Sequence, residues 1–299
     1  DSIIRIQSNS HIVLNTIISP VEKKNSVLLF FGKIWNKVST KALRRKVFEV
    51  QTPTAVCGVR GTDFETASYD DGTMLVKVNT GTVEVDNETS QKTLSSNQGT
   101  KVGFGQKEIV AEADYKPDWD RNQEQARENL LSDGKKYGGH VHNEIYKRRD
   151  EMKQLVAQAT DLKAKIAQLK AAASDAKKNR DLITYKSYMT EIKKISEEQK
   201  ELNKKIAYYG RRLECHFGLF SHYGDIAKHP VLSKRFQGKE FILDQLDDIE
   251  SLRAEFNAMI EEGMKMSMED MDDMMDEMRD KMKIFKDNKA GKDIFSEMD

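Results

Sequence analysis

From Ile4 to Val110 the apolar positions recur at every second residue, and beyond Pro117 they recur at every third or fourth. The first period belongs to half-buried strands and the second to amphipathic helices. Ile4 and Ile6, then Ile12 and Leu14, alternate with polar neighbours around Ser8-Asn9-Ser10, which predicts two strands and a turn. Val27–Val38, VLLFFGKIWNKV, is apolar enough for a central strand, with Gly32 as a bulge or bend. Further strands are expected at Val47–Val50 and Thr62–Ser68, the latter ending at the Asp70-Asp71-Gly72 turn. Met74, Val76 and Val78 share one face, Asn79 to Gly81 turns the chain, and Val83 and Val85 follow, so this stretch is expected to be a hairpin. A last strand pair is expected between Gln91 and Val110, with turns at Gly99, Gly103 and Gly105. Many short strands with no helix between them predict an antiparallel sandwich or roll.

Between two of these runs lies QTPTAVCGVRGTDFE, Gln51 to Glu65, which reads as a hinge. Pro53 keeps Thr52 extended, while Gly58 and Gly61 give backbone freedom on either side of Val59 and Arg60. Arg60 and Asp63 are close enough to pair across such a bend. TPTAVCGVRGTDFE, followed by YDDGTMLVKVNTGTVEVDN, resembles the FecR domain, with the similarity running over residues 1–105 and carried by Thr52, Pro53, Gly58, Arg60, Gly61 and Asp63. The resemblance implies a periplasmic or otherwise extracytoplasmic β-domain. In sigma-factor regulators of this family an anti-sigma helix domain and one transmembrane helix precede the module, which receives a signal from a receptor. Neither part stands before the module here, so a scaffold-like use is expected instead. The family more often carries an aliphatic or small residue where this chain has Cys57, which implies a buried thiol rather than a reactive one.

Asp118 or Asp120 can cap a helix starting at Arg121, and Gly134, Gly138 and Gly139 weaken its middle. Met152, Leu155, Ala159, Leu162, Ile166, Leu169 and Ala173 then step by threes and fours as a heptad seam. The seam loses phase over 171–181 and resumes at Tyr188, Ile192, Ile195, Gln199, Leu202, Ile206, Tyr209 and Leu213. Such a break is a helical hairpin or a stutter in one long helix, and two seams of similar length favour the hairpin. Gly210, Gly218, Gly224 and Pro230 predict a turn region from Tyr209 to Gly238, with Phe217, Phe220, Tyr223 and Phe236 as a small core. Another helix follows through Ile242, Leu246, Ile249, Leu252, Phe256 and Ile260. In the last one, capped by Ser267, Met268, Met271, Met275, Met278 and Met282 form a stripe that is a candidate partner-binding surface. The expected class is thus a multidomain α+β protein: a β-domain at 1–112, a long coiled-coil region at 113–218, and a C-terminal helical region at 219–299.

Composition narrows function more than fold. With 49 acidic and 49 basic residues the net charge is zero, which removes the global argument for nucleic-acid binding. Two cysteines, Cys57 and Cys215, make neither a disulfide framework nor a zinc spacing, and free thiols are expected. No apolar run approaches the ~20 residues of a transmembrane helix. The chain starts at Asp1 without a basic-apolar leader, so a secretion signal is expected to have been removed or to lie outside this chain. His140, His142 and Glu144, or Cys215, His216, His222 and His229, are weighed as metal ligands, and their spacing favours a metal-free reading. Asp70-Asp71, Asp247-Asp248 and Asp272-Asp273 belong to turns or helix surfaces, and KALRRK, Lys41 to Lys46, reads as a solvated loop. No catalytic motif occurs, so no enzyme activity and no cofactor are expected. The reading is an exported, non-catalytic structural or adaptor protein, with protein partners in a cell-envelope assembly, such as a motor or secretion scaffold, and self-association through its helices. The alternative is an extracytoplasmic ligand or signal sensor with Arg60 and Asp63 facing a pocket. A third, Cu(I) storage, would use Met271, Met275 and Met278.

Overall fold

The computed structural model describes residues 2–15, 25–39, 48–59 and 61–259. The Met268 to Met282 stripe, Ser267, Ile260, the KALRRK run and Arg60 lie outside these residues.

One strand organises the sheet. β3 (Asn25–Lys37) is 13 residues long and turns at Gly32, whose φ is 103°. A Cβ there would also fall 2.3 Å from Ser10 Oγ, which hydrogen-bonds the Lys33 amide, so only glycine fits both the conformation and the approach. Before Gly32, β3 pairs with β2 (His11–Asn15) and β4 (Phe48–Gln51); after it, with β1 (Ile3–Ile6) and β6 (Asp63–Ser68). One layer continues from β6 to β7 (Met74–Thr80) and β10 (Gly99–Val102). The other runs from β4 through β5 (Val56–Val59) and β8 (Thr82–Asp86) to β9 (Gln91–Ser95). Because the chain bends at Gly32, the apolar sides of both layers meet, and Leu29, Phe64, Val76, Val83 and Leu94 are fully buried.

The strand periods are as the sequence predicts, but several connections are not. β3 and β4 run parallel, so the sheet is not purely antiparallel. Met74 to Val85 is not a hairpin: β7 pairs with β6 and β10, β8 pairs with β5 and β9, and at Gly81 the chain crosses between layers. Gly81 has φ 90° and a Cβ there would lie 2.9 Å from the Gly61 carbonyl, so this glycine serves a close crossing. Nor do β9 and β10 pair with each other; they sit at opposite ends of the strand order. The hinge expected at Gln51–Glu65 contains strand β5, which the polar flanks conceal.

After a loop at 103–118 the described chain is mostly helical, giving a mixed α+β protein. α1 (Trp119–Ser132) starts where Asp118 accepts a hydrogen bond from the Arg121 amide. α2 (Gly134–Lys178) and α3 (Leu182–Lys228) are joined by a turn at 179–181 and pack along each other, with Lys165 of α2 bridging to Glu191 of α3 at 3.3 Å. Asp181 caps α3 by accepting from the Thr184 amide.

Of the glycines expected to weaken or break the helices, Gly134 does stand at a break, between α1 and α2, but the others do not. Gly138 lies inside α2, and α3 runs unbroken through Gly210, Gly218 and Gly224, so the turn region narrows to 229–238. Three of them are points of close packing: a Cβ on Gly218 would fall 2.2 Å from the Phe30 ring, one on Gly138 2.1 Å from Ile242, and one on Gly224 2.9 Å from Leu246. Phe217, Phe220, Tyr223 and Phe236, expected as a small core, are all buried, and Phe220 and Tyr223 lie against each other. Asp1–Ile249 forms one compact unit that includes the sheet and α1 to α3; Glu250 onward forms a second.

Candidate functional site

The TPTA segment closes on itself before it meets anything else. Thr52 Oγ1 accepts from the amide of Ala55 at 3.1 Å and donates to the Ala55 carbonyl at 2.9 Å, while the Thr54 hydroxyl donates to the Gly72 carbonyl. Those bonds leave the carbonyls of Thr52 and Thr54 without a partner in the sheet. Arg212 of α3 supplies one, donating to Thr52 O at 2.7 Å and Thr54 O at 3.3 Å. Its Nε reaches Glu88 at 3.2 Å, and Arg148 of α2 holds the same carboxylate with two bonds, at 2.8 and 3.0 Å. Two helices and the family-like turn are therefore tied through one carboxylate.

The cations are buried, while the Glu88 side chain that matches them is 26% exposed. Arg148 and Arg212 are 3% and 2% exposed. Burial pushes the Glu88 carboxyl up, but its hydrogen bond to Arg148 and the charges of Arg212 and Arg148 outweigh this and hold it below the usual carboxylate value. Burial would weaken the Arg148 guanidinium, and Glu88 and Glu144 reverse that. Glu88 is held with φ 71°, a left-handed conformation that is costly for a side chain larger than glycine, in a turn closed by Asn87 Oδ1 accepting from Thr89 and Ser90. His216, on the same stretch of α3, donates from Nδ1 to the Arg212 carbonyl at 2.7 Å. Burial and the two arginines drive its pKa well below the ordinary histidine value, so it stays neutral.

A second tie lies at the Asp70-Asp71 turn between β6 and β7. His222 of α3 donates to Asp70 at 2.7 Å, Arg127 of α1 donates to its other oxygen at 2.9 Å, and Asn129 donates to Asp71 at 2.8 Å. Burial raises the Asp70 carboxyl, and His222 and Arg127 together bring it below the usual value. Between the two ties Phe30 packs into the gap at Gly218, Leu28 and Phe30 cluster with Cys215, and Phe31 stacks on the His222 ring at 3.6 Å. Both cysteines are free and buried, as expected; burial pushes the Cys215 thiol up to about 12 and the Cys57 thiol higher still.

The residues singled out from the sequence fare unevenly. Thr52 and Pro53 lie at the junction. Gly58 is an ordinary β5 position opposite Glu49 and Glu84, with open space where a Cβ would be, and Gly61 takes φ 61°. The Asp63 carboxylate accepts from Trp35 Nε1 at 2.8 Å and Asn79 at 2.9 Å, so it is engaged within the sheet; its expected partner Arg60 is outside the described residues. The histidines do not converge: His142 contacts Gln245, His140 lies against Phe104, Glu144 binds Arg148, and His229 accepts amides of its own turn. Among the described residues no group of three metal-ligating side chains occurs. A small cleft beside the second tie is lined by Lys33, Trp119 and Arg127, but Lys33 bridges Glu65 at 2.6 Å and lies over the Trp119 ring. Sequence reasoning missed Glu88, Arg148, Arg212 and the part played by Asp70. Only Glu88 left a sign, as an acidic residue at a turn position where glycine or asparagine is cheaper.

The fold and junction define a β-sheet domain clamped to a long helical pair through buried arginines. Residues 1–84, within the sheet, match the family described as FecR protein. That match is shorter than the resemblance over 1–105 and ends within β8, although β9 and β10 complete the same sheet. Two crystal structures of a candidate anti-sigma factor from Parabacteroides distasonis ATCC 8503 are similar, at 26% and 25% identity and TM-scores of 0.33 and 0.32. Each comparison covers 38% of this chain and 51% of the other, so the chain spans about half the length of the structures it matches. No curated protein matches.

Proposed function

We propose that this protein is a non-catalytic extracytoplasmic adaptor or regulatory protein in which the FecR-like sheet is a rigid base and the helical pair, working as a coiled-coil hairpin, carries the contact with a protein partner in the cell envelope. The observation that carries this reading is the Arg212 clamp: the TPTA turn at the centre of the family resemblance is spent on holding the protein's own α3. The helical pair offers a partner a surface of its own. Its seam positions Leu155, Leu162, Ile166 and Leu169 are only half-buried against α3, as expected when two helices cover a seam that a third or fourth would complete. The family match supports the extracytoplasmic and regulatory side of the reading. The domain limits that go with it are the sheet at 1–112, a long helical region from 113 and a C-terminal helical part, with the expected limit at 218 falling inside α3. Among the described residues no helix is long and apolar enough to cross a membrane. Photo-crosslinking residues placed at Gln158 and Gln168 on α2, and at Thr93 on β9, test the proposal in intact envelopes. Crosslinks to another protein chain from the helical positions are expected; crosslinks from Thr93 alone would return the contact to the sheet.

A further inference from the structure

The turn between α2 and α3 exposes a composition that a protein solvated on all sides has no need of. Leu182 is 63% exposed, Ile183 84% and Met189 40%, and Leu182 and Met189, seven residues apart, share one face of α3. Adjacent exposed aliphatics at the end of a helical pair are unlike the scattered single apolar residues of an ordinary surface.

Cations outnumber carboxylates around them. Lys177, Lys178, Arg180 and Lys186 are all exposed. Two carboxylates stand among them and keep their charge, Asp175 bridging Lys178 at 3.2 Å and Asp181 accepting from the amide and hydroxyl of Thr184 at 3.1 and 2.7 Å, so the excess is positive. Arg180 stands at the apex with φ 59°, where glycine or asparagine would be the low-strain choice. An arginine there places a cation at the outermost point of the turn. The apex is also well removed from the sheet, since residues 149–178 of α2, beyond the Arg148 clamp, span about 45 Å at 1.5 Å per residue.

We propose that this turn is a peripheral membrane-binding tip, with Leu182 and Ile183 entering the interface of a bilayer and Lys177, Arg180 and Lys186 meeting its anionic phospholipid headgroups. Aliphatic residues that sit between cations satisfy both layers of such a surface at once: the acyl boundary takes the side chains of Leu182 and Ile183, and the phosphates take the ammonium and guanidinium groups. An acidic protein surface would satisfy the cations and leave the aliphatics in water. The inference does not rest on the protein partner proposed above, because it uses the end of the hairpin and not its seam.

Flotation of the full chain with vesicles of phosphatidylcholine containing about 30% phosphatidylglycerol tests it. Binding is expected to these vesicles, to fall with added salt, and to be absent with phosphatidylcholine alone. Leu182→Ser with Ile183→Ser, and separately Lys177→Glu with Arg180→Glu and Lys186→Glu, should each weaken binding by about tenfold or more. All five positions are exposed, so an unchanged circular dichroism melt shows that the loss is not unfolding. An Ile183→Trp variant, read against the unsubstituted protein, should shift its emission to the blue on addition of the anionic vesicles. Failure of the unsubstituted chain to float, equal binding to neutral vesicles, or tip variants that float as well as the original would each overturn the proposal; the last would place lipid binding elsewhere on the chain.

Discussion

The junction between sheet and helices and the free length of the helical pair are built from the same residue types used in opposite ways. At the junction Arg148, Arg212 and Asp70 are buried, Glu88 and Arg127 are partly covered, and the carboxylates each have several partners: Glu88 is shared by Arg148 and Arg212, and Asp70 by His222 and Arg127. Along the helical pair, Lys178–Asp175 and Lys200–Glu197 are exposed pairs three residues apart on one helix. A buried ion is costly when one partner is removed, whereas an exposed pair in water contributes little. Charge therefore fixes geometry at one end of the molecule and only maintains solubility along the other.

Arg212 offers the largest test of that contrast. Arg212→Met keeps much of the apolar stem but strands the Thr52 and Thr54 carbonyls and removes one of the cations on Glu88. A loss of about 3 kcal/mol in urea unfolding is expected. A loss of only a few tenths would mean that water reaches the junction and that the clamp is decorative. The Phe30 contact comes next. Gly218→Ala should cost about 2 kcal/mol despite alanine's better helix propensity, because its Cβ has no room beside the Phe30 ring. The same change at Gly139, which faces open space on α2, should stabilise the protein by up to about 1 kcal/mol. Equal signs at the two glycines would undo the packing argument.

Asp70 tests the charge side of the junction through pH. Its carboxyl is held below the usual value in the folded protein, so its contribution is present above the unfolded carboxylate pKa and is lost as pH falls through the folded one. Unfolding midpoints from about pH 6 to about pH 3 should show the original protein losing stability on acidification more steeply than Asp70→Asn, so that the gap between them narrows. Parallel curves would mean that Asp70 titrates alike in both states.

How far the sequence reveals all this follows from the range of each signal. Alternation and heptad steps are local, and they disclose nearly every strand, the cap at Asp118 and the phase break that becomes the turn at 179–181. Strand partners are not local. The step across Gly81 has the residues of a hairpin, yet its strands belong to different layers, because a glycine that permits a reversal equally permits a crossing. The same ambiguity turned Gly210, Gly218 and Gly224 into expected breaks, although a helix tolerates glycine where a Phe30 or Leu246 side chain needs the space. The junction was least legible, since Glu88 and Arg212 meet across 124 residues and neither has a pattern of its own.

The exposed end of the comparison is sharpened by the smallest effect. Lys165 and Glu191 form an ion pair between α2 and α3 at 3.3 Å, with side chains 55% and 46% exposed. Unlike the pairs within one helix, this one joins the two helices, so it is the arm's nearest analogue of the Arg148–Glu88 bond. If charge pairing as such held the molecule together, Lys165→Ala would approach the loss at Arg212. Solvent screening and the entropy of two long side chains argue instead for a change within about 0.5 kcal/mol, diminishing further in high salt. A double-mutant cycle with Glu191→Ala isolates the pair from other effects of either change. A coupling of more than about 1 kcal/mol would show that burial is not what separates the two regions, and that the register of the helical pair is set by charge rather than by the Ile192 and Ile195 seam.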